Sequence, residues 1–181
     1  VQNIRHGSDF FVIDGTYQKH DLKEHVVLGV KKGQKKSIKR NGKLYDKLSD
    51  HIGFLPLVII SPSDRDLITE GSDTRRKFID GVISQGDRAY LQDLLAYQKV
   101  LSQRNALLKY FGLNHTFDAD TLAIYDGQLD LYGQQIHKKR SGFLSVFLPI
   151  FKERYSFIAQ GKESVSITYQ SGLNEQPLID A

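Results

Sequence analysis

Apolar and polar residues alternate over short runs in the first third of the chain, in the pattern that is typical of β-strands. The two longest runs, residues 9–18 and 24–32, are rich in β-branched and aromatic residues. Asn41-Gly42 is a strong signal for a tight hairpin, because both residues tolerate positive φ. We therefore predict an antiparallel meander over residues 9–45, with strands at 9–18, 24–32, 35–40 and 43–45.

Residues 55–60 form a different kind of run, because all of them are apolar or proline. A continuously apolar run predicts a strand that is covered on both faces. It leads directly into Ser61-Pro62-Ser63-Asp64, which offers an N-cap serine, a proline at the first helical position and an acid three residues after the cap. A helix that begins at the end of a buried strand is a common place for phosphate or metal-bound water. On spacing alone, a plain helix cap is favoured.

Apolar residues at helical spacing follow and predict a lobe of three main helices. These helices are expected at residues 72–84, 87–110 and 118–159. Asp87 can cap the second helix, Pro149 should kink or break the third, and Gly161 fits a C-terminal cap. Residues 164–170 alternate again and predict a strand that returns to the sheet, and residues 171–181 are expected to form a loop. The predicted fold class is α+β.

The composition is that of a soluble globular protein, with 40% hydrophobic and 25% charged residues. Because the chain has no cysteine, disulfides, a thiol nucleophile, an iron–sulfur cluster and every cysteine-ligated zinc site are excluded. No apolar run approaches the roughly 20 residues that span a bilayer, so we expect no membrane partner.

Positive charge is concentrated towards the start of the chain. Residues 1–60 carry 11 Lys and Arg against 6 Asp and Glu, whereas residues 61–181 carry 14 against 15. The excess lies in what we name the basic segment, which contains no acidic residue and comprises Lys31, Lys32, Lys35, Lys36, Lys39, Arg40 and Lys43. Such a segment is typical of a surface that binds polyanions, or of a solvated hairpin whose lysines discourage edge-to-edge pairing of strands.

The search for catalytic motifs is negative. The six histidines lack metal-ligand spacing such as HExxH, and the chain has neither a nucleophile elbow nor a dinucleotide-binding glycine motif. It also has no Walker A loop. The residues themselves therefore predict no catalytic site and no metal site.

One block resembles a known family. Residues 56–80 are similar to the strongest internal block of the RecF family, in which an apolar strand precedes Ser-Pro, an acid, a leucine, a glycine, paired arginines and Phe-x-Asp. The matching residues here are Ser61-Pro62, Asp64, Leu67, Gly71, Arg75-Arg76 and Phe78-Ile79-Asp80. Further matches at Asn41-Gly42-Lys43, residues 103–109 and Tyr169 extend the resemblance over most of the chain.

RecF proteins are DNA replication and repair factors that have an ABC-type ATPase head and are related to SMC proteins. A complete member has a Walker A loop before this region and the signature and Walker B motifs after it, so the resemblance implies an internal fragment. The architecture that it implies is an antiparallel β part of the head at residues 1–60, an inserted α-helical lobe at residues 61–162, and a returning strand and tail at residues 163–181.

The resemblance also implies a function. RecF proteins act in recombinational repair at gaps or junctions between single- and double-stranded DNA, where they help to load the recombinase. Their partners are other Rec mediator proteins and a second copy of the head in an ATP-dependent dimer. The full-length parent is expected to use ATP and Mg²⁺, to be a weak DNA-dependent ATPase and to work in the bacterial cytoplasm at the nucleoid. The chain alone is expected to hold no cofactor and to have no ATPase activity.

The candidate site residues combine the charge pattern with the resemblance. DNA contacts are expected from the basic segment and from Arg75 and Arg76, and a nucleotide-dependent switch near the ATP site is expected from Ser61 and Asp64. The alternatives are a helix cap for the latter pair and a surface ion pair for the two arginines. For the whole chain, the alternatives are a non-enzymatic lobe for protein–protein contact and an independent nucleic-acid-binding module.

Overall fold

The structure is a computed structural model that describes residues 3–174 of the chain. The chain divides between Ile59 and Ile60 into two compact units. We name them the sheet unit and the helical unit, and each is described by itself. The loop predicted at residues 171–181 lies outside the described residues from position 175 onward.

The sheet unit contains a four-stranded antiparallel sheet in the order β1-β2-β3-β4. Its strands are β1 (Phe10–Lys19), β2 (Leu22–Lys31), β3 (Ser37–Arg40) and β4 (Lys43–Leu44). The turn between β3 and β4 has φ values of 50° at Asn41 and 81° at Gly42, as that pair predicts. The turn between β1 and β2 has φ values of 47° at His20 and 65° at Asp21, so it adopts left-handed backbone without glycine. The predicted meander is confirmed.

One face of the sheet is covered by the chain that follows β4. Buried side chains alternate along β2, as the two-residue period of a strand requires; they are Glu24, Val26 and Val30. Beyond a 3₁₀ turn at Leu48–His51, the Phe54 ring lies 3.9 Å from the guanidinium carbon of Arg40, which pairs with Val26 in the sheet. The sheet unit thus builds its core from one strand face and this returning segment.

The apolar run at residues 55–60 is not a strand, so this prediction is wrong. No regular secondary structure is assigned to it, and the side chains of Val58 and Ile60 are 90% and 89% exposed. A strand is stable only when a neighbouring strand satisfies its backbone groups, and within residues 3–174 the sheet consists of β1 to β4. An apolar composition indicates a tendency towards burial, but it cannot supply the neighbouring strand.

The helical unit begins with a 3₁₀ turn (Pro62–Arg65) and the short helix α1 (Asp66–Thr69). Its main helices are α2 (Ser72–Gly86), α3 (Arg88–Asn114) and α4 (Ala119–Ile158). Ion pairs join α3 to α4 from Arg104–Asp126 near the connecting loop to Asp87–Lys139 at the far end, so the two helices are antiparallel. Their buried apolar side chains include Leu91, Val100, Phe111, Leu129, Ile136 and Leu144. This confirms the predicted helical hairpin with a shorter partner.

The helix ends agree with the sequence signals in most places. Asp87 caps α3 by accepting a hydrogen bond from the Tyr90 amide at 3.0 Å, as predicted. Gly161 has a φ of 69°, and its amide donates to the Ser156 carbonyl at 3.0 Å, which confirms the C-terminal cap. A break at Pro149 does not occur, because α4 runs through this residue. A proline removes one backbone hydrogen bond, and the Phe147 and Phe151 rings stack along the helix on either side of it, with centroids 5.6 Å apart.

The strand predicted at residues 164–170 is also wrong, since no regular structure is assigned there. This segment instead makes side-chain contacts with α4. The Tyr169 ring stacks on the His137 ring with centroids 5.5 Å apart, and His137 Nε2 lies 2.7 Å from the Asn174 side-chain oxygen. An alternating pattern therefore indicates an extended segment with one side in contact with the protein. Both a β-strand and an extended segment that packs on a helix have this property.

A polar cluster joins the three main helices. Arg140 on α4 donates two hydrogen bonds of 2.8 Å to the Asp80 carboxylate on α2, and the Tyr90 hydroxyl on α3 donates to the same carboxylate at 2.5 Å. Asp80 and Arg140 are 14% and 16% exposed, and Tyr90 is fully buried. Burial raises the pKa of Tyr90, and the hydrogen bond to Asp80 raises it further. We name these three residues the helix lock.

The helix lock predicts a clear difference between two tyrosines of α3. Tyr90→Phe removes a hydrogen bond to a charged group in a buried place, so we expect the free energy of unfolding to fall by about 2 kcal/mol. Tyr110→Phe is the matched control, because Tyr110 is 56% exposed, and a change within about 0.5 kcal/mol is expected there. Urea unfolding followed by circular dichroism measures both. Equal effects for the two variants contradict the role given to the Tyr90 hydroxyl.

Candidate functional site

The basic segment extends from the end of β2, through the connection to β3, to the start of β4. Lys32, Lys35 and Lys36 lie in this connection, which spans residues 32–36. Lys31 and Lys39 lie on one face of the sheet and Arg40 and Lys43 on the other, because Lys39 pairs with Val27 while Arg40 pairs with Val26 and Lys43. All six lysines of the segment are exposed. Lys31, Lys32, Lys35 and Lys36 lie at the β2–β3 connection, whereas Lys39 and Lys43 lie beside the Asn41-Gly42 turn at the other end of β3.

Arg40 differs from these lysines because its guanidinium has partners inside the sheet unit. It donates to both carboxylate oxygens of Glu24, at 2.9 Å and 2.5 Å, and it stacks on the Phe54 ring. The Asn41 side chain donates to the same carboxylate at 2.7 Å. Glu24 was not predicted as a site residue; an acid at a core-facing position of β2 is the signal that could have indicated it. A role of Arg40 in DNA contact stays a prediction, whereas its role in the fold is direct.

Glu24 predicts an acid sensitivity of the sheet unit. The hydrogen bond from Arg40 lowers the pKa of Glu24, so the stabilisation is complete above the ordinary glutamate pKa of about 4.3 and is lost as pH falls through the lower value of the folded state. We expect β2 and β3 to unfold at a lower urea concentration at pH 3 than at pH 6. The loss of their native amide signals in NMR spectra measures this.

Glu24→Gln is the variant that tests this dependence. It keeps the size of the side chain but cannot ionise, so its stability should be lower at pH 6 and should change less between pH 6 and pH 3. A variant whose stability keeps the full pH dependence of the original chain contradicts the assignment to Glu24. His25→Gln serves as a control on the neighbouring position, whose side chain pairs with Asp14 instead.

Ser61 and Asp64 form the predicted capping interaction at the start of the helical unit. The Asp64 carboxylate accepts a hydrogen bond from the Ser61 amide at 2.7 Å, and its other oxygen lies 3.5 Å from the Ser61 hydroxyl. Ser61 has extended backbone and Pro62 occupies the first helical position. The geometry of a cap is therefore formed. Asp64 is exposed, and its carboxylate has room for a further contact, so a role as a switch stays a prediction.

Arg75 and Arg76 make different local contacts at the start of α2. Arg75 Nη1 donates to the backbone carbonyls of Leu67 and Glu70, at 3.0 Å and 2.9 Å. Arg76 donates to the Ser72 hydroxyl at 2.9 Å and lies 3.6 Å from the Asp73 carboxylate. An exposed ion pair of this kind contributes little to stability. DNA contact by these two arginines stays a prediction.

The described residues offer few other binding features. Within residues 3–174, no three side chains of the metal-ligating types come together. In the same part of the chain, every helix is too short or too polar to cross a membrane. A groove of about 540 Å³ lies between α2 and α4 and has apolar and lysine side chains in its wall, including Val82, Ile83, Phe143, Lys138 and Lys139.

Comparison with known proteins supplies the context for these sites. No protein-family model matches the chain. The chain is 61% identical to the DNA replication and repair protein RecF of Flavobacterium johnsoniae and 47% identical to that of Phocaeicola vulgatus, over 99% of its own length and 50% and 48% of theirs. Among solved structures, it is similar to the recombination mediator protein RecF of the RecFOR pathway. The forms RecF-ATPrS and RecF-ATP both give a TM-score of 0.84, with 31% and 29% identity, over 95% of this chain and 46% and 48% of theirs.

The fold is therefore that of part of an ABC-type ATPase head, an antiparallel sheet joined to a helical lobe, and the predicted fold class is confirmed. Within this class, the identity over nearly all of the chain shows that it belongs to the RecF family. The chain spans about half the length of the relatives that it matches.

Proposed function

We propose that this chain is part of an ATP-dependent DNA-binding protein of recombinational DNA repair and replication, which helps to load the recombinase at gapped DNA. The relatives named as DNA replication and repair proteins support this assignment. The observation in the molecule that carries it is the basic segment, because its six lysines are all exposed from the end of β2 to the start of β4, with no acid between them in sequence. Such a surface fits the phosphates of a nucleic acid.

In this proposal the six lysines of the basic segment, and not Arg40, contact the DNA phosphates. The Arg40 guanidinium is already bound to the Glu24 carboxylate, and Glu24 is only 5% exposed. A phosphate therefore has to displace this carboxylate before it can bind Arg40. A lysine ammonium on a flexible stem adapts to the backbone of any sequence. We therefore expect binding that is independent of DNA sequence and sensitive to salt.

The nucleotide and the remaining partners belong to the full-length parent in this proposal. ATP and Mg²⁺ need a phosphate-binding loop, and we assign that loop to the part of the full-length parent outside residues 3–174. From this chain, Ser61 and Asp64 are the residues that we assign to the nucleotide-dependent state, in which two heads dimerise. Other Rec mediator proteins are the further partners, in the bacterial cytoplasm at the nucleoid.

A second candidate function is a non-enzymatic lobe for protein–protein contact. The groove between α2 and α4 favours it, because apolar side chains line its wall beside the Asp87–Lys139 ion pair, and binding sites are concave and mostly apolar. The two functions differ in their response to salt. Phosphate contacts weaken steeply with ionic strength, whereas burial of apolar side chains does not.

The DNA contact predicts the effect of reversing three charges. In the chain with Lys35→Glu, Lys36→Glu and Lys39→Glu together, we expect DNA affinity at low salt to be largely lost. The slope of log affinity against log salt should fall by about one for each lost phosphate contact. Fluorescence anisotropy with a gapped duplex at two salt concentrations measures both quantities. Thermal stability should change little, because the three side chains are exposed.

The matched control reverses the same number of exposed lysines in the helical unit, at Lys99, Lys109 and Lys152. It produces the same change in net charge and should leave most of the affinity in place. An equal loss in both triple variants means that net charge alone drives binding. An unchanged affinity in the first variant means that the basic segment is a solubilising surface only.

The switch predicts an effect that appears only with nucleotide. Asp64→Asn keeps the size of the side chain and a hydrogen-bond acceptor, so it should cost less than about 1 kcal/mol of stability. In a full-length RecF protein that carries this sequence, we expect it to depress ATP-dependent dimerisation and turnover. A group shifts an equilibrium only through its different interactions with the two states. A folded variant with normal dimerisation and ATPase rate shows that Asp64 is a helix cap only; Asp66→Asn is the neighbouring control.

A further inference from the structure

Arg75 connects two parts of the helical unit that are otherwise joined by a short link. Its guanidinium reaches from α2 back to the end of α1, where Nη1 donates to the Leu67 and Glu70 carbonyls at 3.0 Å and 2.9 Å. A second contact joins the same two parts, since the Thr74 hydroxyl donates to the Glu70 carboxylate at 2.5 Å. The chain between α1 and α2 contains only Glu70 and Gly71.

The carbonyls that Arg75 satisfies need a partner of this kind. The last carbonyls of a helix have no donor within the helix, and basic side chains commonly satisfy them. α1 has only four residues, and the Glu70 amide satisfies the Asp66 carbonyl alone. Because so short a helix is unstable by itself, contacts from outside decide whether it keeps its shape.

We propose that Arg75 is a positioning residue that fastens residues 61–70 to α2, so that a displacement of the Asp64 carboxylate is passed on to α2. The capping interaction fixes one end of this segment, where Asp64 accepts from the Ser61 amide. Arg75 fixes the other end. Between them lie only the 3₁₀ turn and α1, which follow each other without a gap. Without Arg75, the Thr74 contact to the Glu70 carboxylate remains, but the Leu67 and Glu70 carbonyls lose their donor and movement of the segment is absorbed at Glu70 and Gly71.

This inference gives the two neighbouring arginines separate roles. Arg75 directs its guanidinium to backbone oxygens of its own unit, whereas the contacts of Arg76 lie on its own helix. The link to nucleotide rests on the proposed function, since it needs Asp64 to respond to ATP. The contact by which Arg75 holds residues 61–70 to α2 does not depend on the proposed function. The contact and the link to nucleotide can therefore be tested separately.

The first experiment measures amide hydrogen exchange of residues 66–71 in this chain. Arg75→Gln removes the cation and shortens the side chain, and we expect exchange there to become roughly tenfold faster. Arg75→Lys keeps the charge, but its ammonium lies closer to the backbone and cannot reach both carbonyls, so exchange should also accelerate. Arg76→Gln is the matched control and should leave these amides unchanged. Equal exchange in the original chain and Arg75→Gln overturns the proposal.

DNA affinity separates this role from a phosphate contact. We expect neither Arg75 variant to change the salt slope of DNA binding. If Arg75→Gln weakens DNA binding and Arg75→Lys restores it, Arg75 acts as a phosphate-binding cation and the proposal is overturned.

The second experiment uses a full-length RecF protein that carries this sequence. Addition of ATP should change exchange in both residues 61–70 and residues 72–86, and in Arg75→Lys the change in α2 should be lost while ATP affinity stays the same. A change that persists in α2 of that variant overturns the coupling. If ATP changes neither segment in the original protein, the nucleotide role of Asp64 fails, and the coupling to α2 fails with it, whereas the fastening is decided by the first experiment.

Discussion

The Asp80–Arg140 ion pair is the constraint on which the helical unit depends. It joins α2 to α4 with two hydrogen bonds, and both side chains are largely removed from water. Although burial disfavours a charge, the hydrogen bonds with Asp80 and Tyr169 raise the pKa of Arg140. A buried pair adds little net stability, but a buried charge left without its partner is very costly. A shift of α2 against α4 that separates the two charges is therefore strongly disfavoured.

The sheet unit uses the same principle on a smaller scale. Glu24 is held on the covered face by Arg40 and Asn41, so the β3–β4 hairpin is tied to β2 by charge as well as by the ladder. Arginine suits both pairs, because its planar group donates two parallel hydrogen bonds to a carboxylate. The lysines of the basic segment cannot do this and remain exposed. Fold and proposed DNA contact are thus divided between two kinds of cation.

Local signals in the sequence predicted most of the fold. Asn41-Gly42 and Asp87 were assigned correctly, because a turn or a cap is decided by residues within a few positions. The runs at 55–60 and 164–170 were assigned wrongly, because a strand also needs a distant partner that its own composition does not specify. Pro149 was expected to kink or break α4, and the helix is not broken there but runs on to Ile158.

The candidate site could be predicted only where residue type decides the outcome. The exposure of the lysines could be predicted from their residue type. The partner of Arg40 lies 16 residues away in sequence, and the partners of Arg75 are backbone carbonyls. Residue types do not reveal either kind of partner. The paired arginines of the family motif illustrate the difference. Neighbours in sequence on one helix point in different directions, so only Arg75 reaches α1. The two arginines of one motif therefore make different contacts, and in our proposal Arg75 positions the segment that carries Asp64.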